Sequence, residues 1–372
     1  MKTFKLFFPV LVLIFLIANC AEKIPQNPPA EKSSLKTAYK DDFYIGAALN
    51  RSHINESVPE AAKIIEKEFN TITAENVMKW MHIHPGRDSF NFDLSDKFVA
   101  LGEKNNMFVI GHTLVWHSQL GRWARDIKEP EEMKVVMENH VSTIVGRYKG
   151  KVHGWDVVNE ALNEDGTLRK TVFLDVLGED YLKLAFDLAA KADPEAELYY
   201  NDYSLTNPQK RAGVVRLVRQ LQESGAKIDG VGMQAHWGLT SPSIEEIETS
   251  ILEYSALGVK VMFTELDVDV LPNPRSIQGA DINQSAENSE LLNPYTAGLP
   301  DSIQAQQAQR YEDIFRLFLK HQDKITRVTF WGVDDGHSWK NNFPVRGRTN
   351  YPLIFDREYR PKEAYVRILG LK

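Results

Sequence analysis

The sequence predicts an α/β protein, a single (β/α)8 TIM barrel, from two features and one absence. Eight short apolar runs of strand length recur from Asp42 onward, amphipathic stretches of helical period lie between them, and no glycine-rich phosphate loop accompanies the first run. Strands that alternate with helices form a parallel sheet covered on its outer face, and eight such units close into a barrel. An open doubly wound sheet is the runner-up. Its nucleotide-binding form loses support because Gly46-Ala47-Ala48 is not G-x-G-x-x-G.

The strand-like runs cover residues 43–49, 69–73, 107–116, 152–158, 198–203, 228–233, 259–266 and 325–331. Between the fourth and fifth runs, Tyr181, Leu184, Ala185, Leu188 and Ala189 recur at helical spacing. Val214, Leu217, Val218 and Leu221 do so after the fifth, in a helix that should stop near Gly225. One stretch breaks the rhythm. Residues 272–301, between the seventh strand and its helix, are polar and rich in Asn, Gln, Ser and Pro, and a loop that long is usually functional or mobile.

Ahead of the barrel, Lys2 and Lys5 precede an apolar run over residues 7–18, too short to span a bilayer comfortably, which is a signal-peptide pattern. It ends in Ile17-Ala18-Asn19-Cys20, which resembles the lipobox of bacterial lipoproteins and implies cleavage before Cys20 and lipidation of its thiol. Cys20 is the one cysteine of the chain, so no intramolecular disulfide can form, and a lipid anchor explains it better than a redox role. Residues 20–40, rich in Pro, Lys, Glu and Ser, read as a flexible tether. The expected plan is therefore a leader over 1–19, a tether over 20–40 and one barrel domain over 41–372. The expected location is the cell envelope, on an outer membrane and facing either the periplasm or the surface. Net charge is −7 with no basic stripe, which argues against nucleic acid and suits a neutral partner. A monomer is expected.

In such a barrel the active site gathers where strands end and βα loops begin. Two carboxylates stand out there, Glu160 on the fourth strand and Glu265 on the seventh. One protonated and one ionised carboxyl can protonate a leaving oxygen and stabilise an oxocarbenium-like charge, which is the chemistry of glycosidic hydrolysis. Taken alone, each could equally be half of a rim salt bridge. Period-two spacing sharpens the reading, because Gln234 and His236 share one face and Glu265 and Asp267 share another. If those faces meet, His236 can bridge Glu265 and Asp267 and hold Glu265 ionised. Asn159 and Glu160 should point to opposite faces, so both reach the cleft only if the fourth strand kinks or bulges at its end.

These motifs together resemble one family. Trp155-Asp156-Val157-Val158-Asn159-Glu160 and Phe263-Thr264-Glu265-Leu266-Asp267 are similar to glycoside hydrolase family 10, the retaining endo-β-1,4-xylanases. Thr73-Ala74-Glu75-Asn76 with Lys79-Trp80, the stretch from His112 to Gln119, Gly232-Met233-Gln234-Ala235-His236, and Thr329-Phe330-Trp331-Gly332 with Ser338-Trp339 extend the likeness over residues 41–371. The resemblance implies Glu160 as general acid/base and Glu265 as nucleophile. It implies Asn159 on the 2-hydroxyl of the sugar that bears the charge, His236 between Glu265 and Asp267, and Lys79 and His112 on the same sugar. Glu75, Asn76 and Gln119 would bind the next sugar, Trp331 and Trp339 would wall the glycone side, and Tyr203 would serve the aglycone side. Trp116 and Gln234 would support Glu160. Xylan and xylo-oligosaccharides are the implied partners, with no cofactor. Gly121 stands where many members carry Pro, and the 272–301 segment exceeds the minimal family loop.

Two rivals have sequence support. His82-Ile83-His84 hints at a metal-dependent hydrolase, but the pair falls after the second strand with no further ligands at metal spacing. A non-catalytic sugar-binding barrel predicts replacement of one carboxylate, and both are present.

Overall fold

The computed structural model describes Met1 and residues 34–372 except Arg275 and Gln278. The leader, Cys20 and residues 20–33 of the expected tether lie outside the described residues. The folded domain begins at Ser34 rather than at Asp41. Leu35–Ala38 is a short helix, and Leu35 and Tyr39 are fully buried. The Leu35 N–H donates to Glu68 Oε2 at 2.9 Å and the Tyr39 hydroxyl donates to the Ile368 carbonyl at 2.7 Å. Residues 34–40 therefore belong to the barrel's base and not to a tether. Charged and small neighbours mask two apolar anchors in the composition of this stretch.

Nine strands make up the sheet: β1 (Tyr44–Leu49), β2 (Thr71–Ala74), β3 (Phe108–Trp116), β4 (Gly154–Asn159), β5 (Glu197–Asp202), β6 (Gly230–Met233), β7 (His236–Gly238), β8 (Lys260–Asp269) and β9 (Ile325–Phe330). All pairings are parallel, and β6 pairs with β8 to close the ring. β7 is a short continuation of the sixth barrel strand that pairs with the far end of β8, so the ring has eight staves as expected. Each stave is followed by helices whose apolar faces cover the sheet. Pro208–Glu223 starts with Pro at N1 and an Asn207 side chain that accepts from the Gln209 N–H, buries Val214, Leu217, Val218 and Leu221, and ends before Gly225 at φ 78°. Asp180–Ala192 buries Tyr181, Ala185, Leu188 and Ala189 in the same way.

Inside the ring, Ile110, Tyr199 and Met262 pack together, contributed by alternate barrel strands, as layered barrel interiors require. On the other face of β3, Gly111 makes room for Trp155 in the outer core, since a Cβ there would sit 2.1 Å from the Trp155 ring.

The staves are irregular where they carry polar residues. Pairing shifts register between His112 and Val115 on β3, between Asp156 and Val158 on β4, and between Phe263 and Leu266 on β8. At the C-terminal ends, Gln119, Glu160, Ser204 and Ala235 all adopt left-handed backbone with φ between 48° and 64°. Non-glycine residues in that region cost on the order of 1–3 kcal/mol and collect at functional sites. Here four of them rim one end of the barrel.

Candidate active site

Glu160 and Glu265 meet in one cavity of about 380 Å³ at the C-terminal mouth of the barrel. Glu160 reaches it because of the two irregularities in β4. The register slip at Val157 and the φ of 56° at Glu160 turn its side chain onto the same side as Asn159, as the expected kink demanded. Two hydrogen bonds hold the strained backbone. The Glu160 N–H donates to the Asn201 carbonyl at 2.9 Å, and the Arg169 Nε–H donates to the Glu160 carbonyl at 3.1 Å. The carboxyl itself accepts from Trp116 Nε1–H at 2.8 Å and Gln234 Nε2–H at 3.0 Å.

Burial pushes the Glu160 carboxyl up to about 7, reinforced by the charges of Asp202 and Glu265 and only partly offset by the Gln234 and Trp116 donors. Glu265 moves the other way. Burial would raise it, but the hydrogen bond from His236 and the fields of His112, His236 and Lys79 outweigh that and hold it below the usual carboxylate range. His236 lies between Glu265 and Asp267, with Nε2 at 3.1 Å from Glu265 Oε2 and Nδ1 at 2.9 Å from Asp267 Oδ2. Burial lowers the imidazole's proton affinity, yet the two carboxylates, Asp267 foremost, raise it overall, so the bridge favours a cation. The alignment comes from Ala235, whose φ of 64° separates β6 from β7 and sets His236 opposite Asp267 in the β8 register.

One cavity thus holds a carboxyl that keeps its proton near neutrality and a carboxylate that does not. Two such groups across a cleft fit acid-assisted cleavage of an acetal.

Comparison with known proteins points to the same class of reaction, glycoside hydrolysis. The model of glycosyl hydrolase family 10 matches residues 34–371. The chain belongs to that family. It is 45% identical over 353 residues to endo-1,4-beta-xylanase A of Xylanibacter ruminicola, covering 94% of this chain and 95% of that one. It is 41% identical over 348 residues to endo-1,4-beta-xylanase B of Paenibacillus barcinonensis, covering 91% and 98%. Among solved structures, a GH10 endoxylanase retrieved from a sugarcane soil metagenome aligns at a TM-score of 0.88 with 43% identity, over 91% of this chain and all of that one.

Within this family-10 site the remaining expected residues divide by location. Glu75, Asn76, Lys79, His112, Gln119, Trp331 and Trp339 line the same cavity as the two glutamates. Lys79 donates to Asn76 Oδ1 at 3.1 Å and Asn76 Nδ2–H to Glu75 Oε1 at 3.2 Å, while Gln119 Oε1 is buried with no hydrogen-bond partner among the described residues. Burial lowers the Lys79 ammonium's proton affinity, and Glu265, Glu75 and Glu160 counter it. His112 is oriented by Asp156, Nδ1 to Oδ2 at 2.8 Å. Asp267 lies beneath the cavity, where it also accepts from Trp339 Nε1–H at 2.9 Å. Tyr203 is the outlier. It lines a neighbouring, larger cavity of about 930 Å³, with its hydroxyl bonded by Arg169 Nη2–H at 2.5 Å and its face covered by Lys210 at 3.7 Å.

His84 and His82 do not form a metal centre with each other. The His84 ring is engaged by the Arg87 carbonyl and by His140, both at 3.1 Å. Among the described residues, the one cluster of three potential ligands is His53, Asp334 and His337, which does not include them.

Sequence reasoning missed Asn201. Its amide donates to Glu265 Oε1 at 2.8 Å and to Asn159 Oδ1 at 2.9 Å, and its oxygen accepts from Thr264 at 2.6 Å, so it ties the Glu265 carboxylate to the residue beside Glu160. A polar residue one position before the end of β5, flanked by Asp202 and Tyr203, was the available signal. Lys340 was also missed. Its ammonium sits 3.7 Å from Asp269 and 4.0 Å from Asp267 and supplies countercharge below His236.

Proposed function

We propose that the chain is a retaining endo-β-1,4-xylanase that works by double displacement, with Glu160 as acid/base and Glu265 as nucleophile. The observation that carries this reading is the opposite displacement of two carboxyls in one cavity, Glu160 upward to about 7 and Glu265 downward. In the first step Glu265 attacks the anomeric carbon while Glu160 gives its proton to the departing glycosidic oxygen. A glycosyl ester forms and the C–O bond to the leaving sugar breaks. Esterification removes the Glu265 charge, one of the influences that raise Glu160, so Glu160 becomes the stronger acid and stays ionised. It then takes a proton from water, which attacks the anomeric carbon and releases Glu265. Two inversions return the starting configuration.

The neighbouring cavities support cleavage within a chain, since the glutamate cavity and the larger one share His236, Ala280 and Phe343 and so offer room on both sides of the cut. On this reading Asn159 bonds the 2-hydroxyl, Lys79 and His112 hold the same sugar, and Glu75, Asn76 and Gln119 hold the next, between Trp331 and Trp339. Tyr203 serves the aglycone side. Trp116, Gln234, His236 and Asp267 set the environments of the two carboxyls. Xylan preference rests on the family relatives' named activities. Glu265→Ala tests the assignment. It should still bind xylo-oligosaccharide while turnover falls by orders of magnitude, and unchanged turnover would refute it. Export as a lipid-anchored envelope protein rests on the leader pattern and Cys20. Metabolic labelling with a fatty acid should mark the wild type but not Cys20→Ser, and equal labelling would refute the anchor.

A further inference from the structure

Three consecutive carbonyls just beyond β4 are all satisfied by one residue. Arg169 Nε–H donates to the Glu160 carbonyl at 3.1 Å, the Arg169 backbone N–H to the Ala161 carbonyl at 2.7 Å, and Arg169 Nη2–H to the Leu162 carbonyl at 3.2 Å. Nη2–H also reaches the Tyr203 hydroxyl at 2.5 Å. The Arg169 side chain is only 13% exposed. A guanidinium held that far from water needs a countercharge, and its planar fork serves several acceptors at once, as a lysine ammonium does not.

The countercharge comes from the long segment between β8 and the helix Asp301–Lys320. Arg169 Nη1–H donates to Asp281 Oδ2 at 3.1 Å, and Asn283 N–H and Nδ2–H donate to Asp281 Oδ1 at 3.0 and 2.8 Å. Burial would raise the Asp281 carboxyl, but the Asn283 donors and the Arg169 charge outweigh it and hold the group below its usual range. Neither Arg169 nor Asp281 lines the glutamate cavity, so their influence on the chemistry passes through the groups they hold. Foremost among these is Glu160, whose left-handed backbone at φ 56° persists only where its surroundings over-determine it.

We infer that Arg169, braced by Asp281, is a positioning residue for acid catalysis, fixing the peptide turn that aims the Glu160 carboxyl at the leaving oxygen. This rests on the assignment of Glu160 as acid/base proposed above. Trp116 and Gln234 hold the carboxyl at its far end, but without Arg169 the backbone beneath it can relax out of the left-handed region. A reacting group displaced by about 1 Å loses much of its effect. Glu265 is held by His236 and Asn201 instead, so its attack does not depend on this clamp. Through Asp281, the 272–301 segment therefore acts on proton donation and not on the nucleophile.

The test uses two aryl xylobiosides with similar aglycones. Dinitrophenolate departs without a proton and phenolate does not, so the phenyl-to-dinitrophenyl ratio of kcat/KM reads proton donation alone. In Arg169→Met this ratio should fall about 30-fold below wild type, a fraction of the roughly 10²–10⁴ that a positioned acid contributes. Arg169→Lys keeps the charge without the fork and should fall nearly as far, and Asp281→Ala should fall about fivefold. Both rates come from one preparation, so the ratio does not depend on how much of a variant folds. A ratio within about twofold of wild type in both Arg169 variants, even with both rates reduced, would show a merely structural role and overturn the inference. An unchanged ratio in Asp281→Ala alone would overturn the part given to the long segment. A wild-type ratio in Glu160→Ala would instead overturn the acid/base assignment, and this inference with it.

Discussion

Replacing Glu160 by Gln should stabilise the fold in a pH-dependent way. The side chain is buried, and its carboxyl is raised from an ordinary 4.5 to about 7. Below pH 4.5 both the folded and the unfolded chain hold the proton, so burial of a charge costs nothing. Between pH 4.5 and 7 the unfolded chain ionises while the folded chain stays protonated, and stability falls as pH rises. Above pH 7 both are ionised and the full difference has been lost. At about 1.4 kcal/mol per pH unit, the displacement amounts to about 3 kcal/mol. Gln is neutral at every pH and lacks this loss. Equilibrium urea unfolding of wild type and Glu160→Gln from pH 4 to pH 8 isolates the effect, because any constant offset from altered hydrogen bonds with Trp116 and Gln234 cancels in the comparison. The variant should gain about 3 kcal/mol on the wild type across that range. In melting temperature this is about 4–5 °C, given an unfolding entropy of about 0.7 kcal/mol/K for a domain of this size. A gap that does not change with pH would refute the claim that burial holds the Glu160 proton.

Other consequences follow from the same geometry. The pH profile of kcat/KM should be a bell, with its alkaline limb near 7 from Glu160 and its acid limb below 4.5 from Glu265. On an aryl xylobioside whose leaving group needs no proton, Glu160→Gln should abolish the alkaline limb, and a limb that persists would mean another group sets it. Asn201→Ala removes a donor from the Glu265 carboxylate and should cost about 1.5–3 kcal/mol of transition-state stabilisation, or about 10- to 150-fold in kcat/KM. Steady-state kinetics on xylotetraose measures this, and a loss below threefold would show that the bond does not matter to catalysis.

Some of this site was legible in the sequence because local periodicity carries it. On β8, Glu265 and Asp267 share a face as alternation demands, and His236 meets both. The conflict between Asn159 and Glu160 was itself information, since a strand that must show two neighbours to one side has to deform, and β4 does. His236 is the subtler case. It faces Asp267 after a left-handed break at Ala235 and not through an unbroken strand, so period two gave a sound outcome by a different geometry. What could not be read depends on contacts distant in sequence. Asp281 finds Arg169 112 residues away, and Asn283 finds Ser118 165 residues away, so nothing local shows that the 272–301 segment reaches the loops after β3 and β4. Asn201 looked no different from its polar neighbours until Glu265 and Asn159 were seen on either side of it. At the N-terminus, composition averaged over 20–40 hid Leu35 and Tyr39 among charged residues.

The most direct test of the two-carboxylate mechanism is to trap its intermediate. An activated 2-deoxy-2-fluoro-xylobioside slows both steps by destabilising the oxocarbenium-like transition state, while its good leaving group still lets the first proceed. Peptide mass spectrometry of the inactivated enzyme should find one glycosyl adduct, on Glu265, with Glu160 unmodified. An adduct on another residue, or no adduct together with inverted configuration in the products of xylotetraose, would contradict the assignment of Glu265 as nucleophile.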